Sequence, residues 1–164
     1  MNIILDSTYV LPLFGVIVNL SGQSLQEIKE LWQVKYSNYD FFLPSVCLIE
    51  VVYKLNAEFR PKKDASILDR MPLVLPTLLD HPFVKFFHPH TNLVATEMAM
   101  KIRESGHPDL MDCWIAGSAF ALEGILLTEE VTLRKQLKTI PEFSAVPIWN
   151  WKKFQAELKV SLGR

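Results

Sequence analysis

Residues 3–8 read Ile3-Ile4-Leu5-Asp6-Ser7-Thr8, and residues 125–130 read Ile125-Leu126-Leu127-Thr128-Glu129-Glu130. Each is a short, wholly apolar run that stops at a polar cluster. Such runs read as buried strands. Further strands are expected at 41–43, 83–87 and 146–149. Helical patterns separate them: one starting near Ser7-Thr8, one over 24–33, and one after Pro44-Ser45 with Ser45 as cap. A break over 60–64 precedes a further helix, and helices follow over 92–104, 109–122, 131–138 and 151–158. Strands separated by helices imply a parallel sheet covered on both faces. In such a sheet functional groups gather at the carboxyl ends of the strands, where Asp6 and Thr128-Glu129-Glu130 fall.

The composition is that of an ordinary globular protein. The 164 residues suffice for one domain, 1–164, with a proper core; 49% are hydrophobic and 21% charged. A net charge of -1 means that any nucleic-acid contact must use a local patch. Cys47 and Cys113 stand alone, without a paired-cysteine motif, which fits a reducing compartment. The apolar run over 9–20 contains Pro12 and Gly15 and falls short of the about 20 residues that cross a bilayer. It has no basic flank, and Asp6 precedes it, so it does not read as a signal peptide. The expectation is a soluble cytoplasmic protein with no membrane attachment.

Four acids stand in apolar surroundings. Asp6 ends the first strand; Glu50 interrupts Leu48-Ile49-Glu50-Val51-Val52; Asp112 opens a helix that continues Cys113-Trp114-Ile115-Ala116-Gly117-Ser118-Ala119; Glu130 follows the Ile125 run. Carboxylates gathered in a partly apolar cleft repel one another and lose hydration, which a hard divalent cation relieves. Each also has a plain structural reading. Asp6 is replaceable as a cap by Ser7. Thr8, two residues on, shares its side if the chain is still extended. Glu50 pairs at helical spacing with Lys54. Asp109 reads as a cap or supporting group for Asp112, whose small neighbours suggest a helix pressed on the sheet. Thr128 and Glu130 share a side of an extended segment and Glu129 points away, so Glu130 is preferred as the fourth acid; a turn would reverse this.

Other signals carry less. His88-Pro89-His90 reads as a surface turn, and His81 and His107, each before a proline, as loop residues. Lys54, Arg60, Lys62, Lys63 and Arg70 form a loose basic cluster after Glu50, able to guide a phosphate backbone toward the acids. The four tryptophans fit core positions. No Gly-rich dinucleotide fingerprint, phosphate-binding loop or Gly-x-Ser-x-Gly elbow is present. The segment after Asp6 lacks the second Asp of aspartyl-phosphate phosphatases.

In order and spacing, Ile4-Leu5-Asp6-Ser7-Thr8-Tyr9-Val10-Leu11, Glu50 in its helix, the Asp112 helix and Leu126-Leu127-Thr128-Glu129-Glu130 together resemble the PIN-domain family. That family includes the toxin components of toxin–antitoxin pairs, and the resemblance covers nearly the whole chain. It implies a three-layer α/β/α sandwich with a mostly parallel central sheet. It also implies one or two Mg²⁺ or Mn²⁺ ions at Asp6, Glu50, Asp112 and Glu130, with Ser7, Thr8, Asp109, Thr128 and Glu129 in support. The implied activity is cleavage of single-stranded RNA to 5′-phosphate and 3′-hydroxyl ends. An antitoxin protein and a homodimer are the implied partners, the apolar stretches 9–20 and 24–32 being the candidate dimer region. Two features depart from the pattern: Glu130 stands where the family usually has Asp, and the stretch between Lys54 and His90 is longer than in compact toxins. The longer stretch would build a different substrate or partner surface; Glu130 and the near-neutral net charge motivate an alternative, a non-cleaving PIN-like scaffold that binds RNA or protein.

Overall fold

A computed structural model of the chain describes residues 1–20 and 22–161. Ser21 and residues 162–164, which the single-domain reading includes, lie outside the described residues. Strands β1 (Asn2–Leu5), β2 (Asp40–Pro44), β3 (Val84–Phe87), β4 (Ile125–Leu127) and β5 (Ile148–Trp149) form one parallel sheet in the order β3-β2-β1-β4-β5. Ile3 of β1 lies in register with Phe41 on one side and Ile125 on the other. Ile3, Ile4, Leu5, Leu126 and Leu127 are buried, as strands covered on both faces require.

The chain steps outward from β1 to β2 to β3, then returns past β1 to β4. Right-handed crossovers therefore place α1 (Gly22–Leu31), α2 (Val46–Lys62) and α3 (Ser66–Leu79) on one face of the sheet. They place α4 (Leu93–Glu104), α5 (Leu110–Ala121) and α6 (Val131–Leu137) on the other. This is the expected α/β/α sandwich. Helix α7 (Trp151–Ser161) closes the described chain, and its Phe154 meets Tyr36, Tyr39 and Phe41 edge-on in the core. Trp32, Trp149 and Trp151 are core residues too. Among the described residues no helix is long and apolar enough to cross a membrane.

Several local expectations are corrected. Residues after β1 form two 3-10 turns, Ser7–Tyr9 and Leu11–Phe14, rather than an α-helix. Pro12 has no N–H to continue a helix, and Gly15 closes the second turn at φ +70°. Tyr9, Val10, Leu11 and Phe14 enter the core, as do Ile28, Leu31 and Trp32. Most of the apolar surface expected to form a dimer region is therefore interior, while Ile17 stays 95% exposed. Ser45 precedes α2 but already has helical backbone angles, and its Oγ caps nothing. Helix α2 runs through Pro61 and stops only at Lys63, at φ +54°. The small residues of α5 serve a neighbouring helix as well as the sheet: a Cβ on Gly117 would run into the Ala95 carbonyl of α4.

Candidate acidic site

The strand order reverses between β1 and β4, so the helices after these two strands diverge to opposite faces. That leaves a crevice beyond their carboxyl ends. Asp6 sits there, the first residue past β1, and its N–H extends the ladder to the Leu127 carbonyl at 3.1 Å. Asp6 is 3% exposed, and its carboxylate is held at both oxygens: Ser7 Oγ donates to Oδ1 at 3.1 Å, and Thr128 Oγ1 donates to Oδ2 at 2.6 Å. Burial raises its pKa and nearby Glu50 raises it further, against the lowering effect of the Thr128 and Ser7 bonds.

Asp112 arrives from the other face. Helix α4 ends before Gly106, whose φ of +103° turns the chain into His107. Asp109 Oδ1 then caps α5, accepting from Met111 N at 2.8 Å and Asp112 N at 3.4 Å. Asp109 is thus the cap that starts the Asp112 helix. Burial, then Asp6, Asp109, Glu50 and Glu130 in turn, push the Asp112 carboxyl up to about 8. The same field reaches Cys47, whose buried thiol lies 3.7 Å from the Leu5 carbonyl and is pushed well up by burial, Asp6, Glu50 and Asp112. A thiol so placed stays protonated and is not a nucleophile.

Glu50, on α2, is within reach of this field but lies 3.9 Å from Lys54. The pair at helical spacing and the proximity to Asp6 and Asp112 are both real. Glu130 also acts on Asp112, while its Oε1 caps α6 by accepting from Thr132 N at 2.9 Å. Glu129 is engaged elsewhere: its Oε1 accepts from Tyr9 OH and from Trp151 N, each at 2.7 Å. It locks the first 3-10 turn to the start of α7. Thr8, Glu50, Lys54, Glu129 and Glu130 share an open cleft of about 390 Å³ with Ile17 and its apolar neighbours. Asp6 and Asp112 are not among its lining residues.

The basic cluster is largely spoken for. Glu58 holds Lys62 at 2.8 Å and Arg70 at 3.2 Å; Arg70 also donates to the Gly15 carbonyl. Lys63 lies 5.8 Å over the Phe59 ring. Of these cations Lys54 alone lines the cleft.

His107 reads as a loop residue in the sequence, and the structure buries it. It is 2% exposed, and its Nε2 lies 2.9 Å from Asp112 Oδ2. Burial lowers its pKa. The signal available in the sequence is the spacing of five residues to Asp112 across a Pro-Asp turn, which suits any loop.

The donor set is all-oxygen, as a hard divalent cation requires. Among the described residues, however, no group of three or more His, Cys, Asp or Glu side chains is arranged to hold an ion. Each acid is tied to an internal partner instead. Two of those ties are weak by kind: an exposed ion pair is worth about 0–1 kcal/mol and a helix cap about 1 kcal/mol. Burial first, and acidic neighbours after it, raise the pKa of both Asp6 and Asp112, so each carboxyl is costly to ionise without a cation. The residues thus fit a cation in chemistry, with Glu50 set beside Lys54 and Glu130 Oε1 on Thr132 N in the structure.

Comparison with protein-family models and with curated proteins gave no match. Solved structures do match. VapBC2 from Rickettsia felis, solved with a promoter DNA fragment, aligns at TM-score 0.54 and 18% identity over 92% of this chain and 99% of that one. VapBC from Salmonella typhimurium, solved bound to DNA, gives 0.57 and 15% over 92% and 98%. FitAcB from Neisseria gonorrhoeae gives 0.54 and 15% over 92% and 97%. At such identities the likeness is one of fold, and the chain has the PIN-like fold that its motifs led us to expect.

Proposed function

We propose that the protein is a metal-dependent endoribonuclease that hydrolyses phosphodiester bonds of single-stranded RNA. One observation carries the reading. Asp6, at the carboxyl end of β1, and Asp112, in the first turn of α5, both have pKa values raised chiefly by burial, and Asp6 raises Asp112 further. Carboxyls so placed are costly to ionise without a cation. Asp6 and Asp112 would hold Mg²⁺ or Mn²⁺, with Glu50 and Glu130 completing the set. The bound ion would supply charge neutralisation at the phosphate and a water of lowered pKa.

The chain's own groups do the rest. Thr128 and Ser7 fix both oxygens of Asp6, Asp109 sets the start of the Asp112 helix, and Glu129 anchors Tyr9 behind the cleft. Lys54 offers a cation to the RNA backbone at the cleft, with Arg60, Lys62 and Lys63 further along α2. The protein is proposed as one cytoplasmic domain over 1–164, paired with an antitoxin protein and able to form a homodimer. Its fold neighbours VapBC2 and VapBC were solved with DNA, which agrees with membership in such a complex.

A second reading is favoured by the internal partner of each acid: a PIN-like scaffold that binds RNA or protein without cutting. Calorimetric titration of Mn²⁺ into wild type and Asp6→Asn, both checked for folding by circular dichroism, separates the two. Binding lost in the variant supports the nuclease; no binding to either supports the scaffold.

A further inference from the structure

We propose that His107 is a positioning residue for the acidic site, its Nε2–H orienting Asp112 through Oδ2 and leaving Oδ1 as the ligand oxygen. The inference rests on the metal-site reading above. Its own support is geometric. His107 is nearly wholly buried and its Nε2 meets Asp112 Oδ2 at 2.9 Å. Among the described residues Asp112 Oδ1 accepts no hydrogen bond, and His107 Nδ1 has no partner. That orphan decides the tautomer. A buried N–H without an acceptor is rarer and costlier than an acceptor without a donor, so the ring proton belongs on Nε2, facing the carboxylate.

The backbone that carries the imidazole is itself held. Arg103, on the last turn of α4, donates through Nη1 to the His107 carbonyl at 2.8 Å and also to that of Pro108. The His107 N–H donates to the Ile102 carbonyl at 3.4 Å. Two groups on the last turn of α4, the Arg103 guanidinium and the Ile102 carbonyl, thus hold the backbone that carries the ring to the start of α5. A hydrogen bond to the second oxygen of a ligating carboxylate fixes its rotation and is commonly worth tenfold to a hundredfold in metal affinity.

The experiment is Mn²⁺ titration by calorimetry of wild type, His107→Leu and His107→Gln, with thermal melts of each. Gln carries an amide N–H near the Nε2 position, and Leu carries none. The expected result is at least tenfold weaker binding in His107→Leu, near-wild-type binding in His107→Gln, and no further loss when His107→Leu is added to Asp112→Asn. Equal affinity in wild type and His107→Leu overturns the proposal while leaving the metal site standing. Equal weakening by Gln and Leu overturns it in favour of packing alone. Absence of Mn²⁺ binding in wild type overturns it together with the metal-site reading.

Discussion

Thr128 Oγ1 donates a 2.6 Å hydrogen bond to Asp6 Oδ2, joining the carboxyl ends of β4 and β1 across the reversal in strand order. The same oxygen accepts from Glu130 N at 3.0 Å, so one buried hydroxyl links the Asp6 carboxylate to the backbone of Glu130. Bonds to charged groups contribute about 1.5–3 kcal/mol. Thr128→Val keeps the shape and removes the hydroxyl. It is expected to cost about 2 kcal/mol in urea unfolding and to raise the Asp6 pKa further. An unchanged urea midpoint would show that the bond carries no stability.

Asp112 sets a pH dependence. Its folded pKa of about 8 lies above its ordinary value of 3.8, so the native state binds more protons than the unfolded state between these limits. Stability without metal should therefore fall as pH rises from about 4 to about 8, and level off above that. Asp112→Asn should flatten this slope, remain folded and abolish RNA cleavage. Denaturant midpoints across that range test the first point. Full nuclease activity in the variant would remove Asp112 from the site.

Glu129 and Glu130 are expected to separate cleanly. Glu129→Ala leaves Tyr9 OH and Trp151 N without their acceptor, and should cost about 2–3 kcal/mol. Glu130→Ala removes only a helix cap, about 1 kcal/mol, yet should weaken Mn²⁺ binding. Paired unfolding and calorimetry on both variants decide the assignment; weakened metal binding in a stable Glu129→Ala protein would reverse it.

Gly117→Ala tests how closely α4 and α5 pack. The added methyl meets the Ala95 carbonyl, a backbone atom that cannot swing aside. Overpacking of this kind costs about 1–3 kcal/mol, a fall of several degrees in Tm for a chain of this size. An unchanged Tm would mean that the helices separate freely.

The order of strands and helices is legible in the residues because it rests on local signals. Ile3-Ile4-Leu5 and Ile125-Leu126-Leu127 are apolar throughout, Asn92 and Asp109 cap the helices they precede, and Gly106 ends α4. Each signal acts within a few residues, where spacing along the chain is also spacing in space. Asp6 at a strand end and Asp112 at a helix start follow from the same reading.

Partner choice does not follow. Asp6 meets Thr128 from 122 positions away, and Glu129 meets Tyr9 from 120. Alternation along an extended segment says which side a carboxylate leaves from, not which donor waits there. Hence Glu129 becomes an anchor and Glu130 a cap. His107, a loop residue by sequence, becomes the buried partner of Asp112, because Gly106 and Arg103 fold its turn inward. The sequence alone determined which residues end each element. The tertiary structure decided what each end faces, because burial and hydrogen-bond partners depend on segments that only the closed sheet brings together.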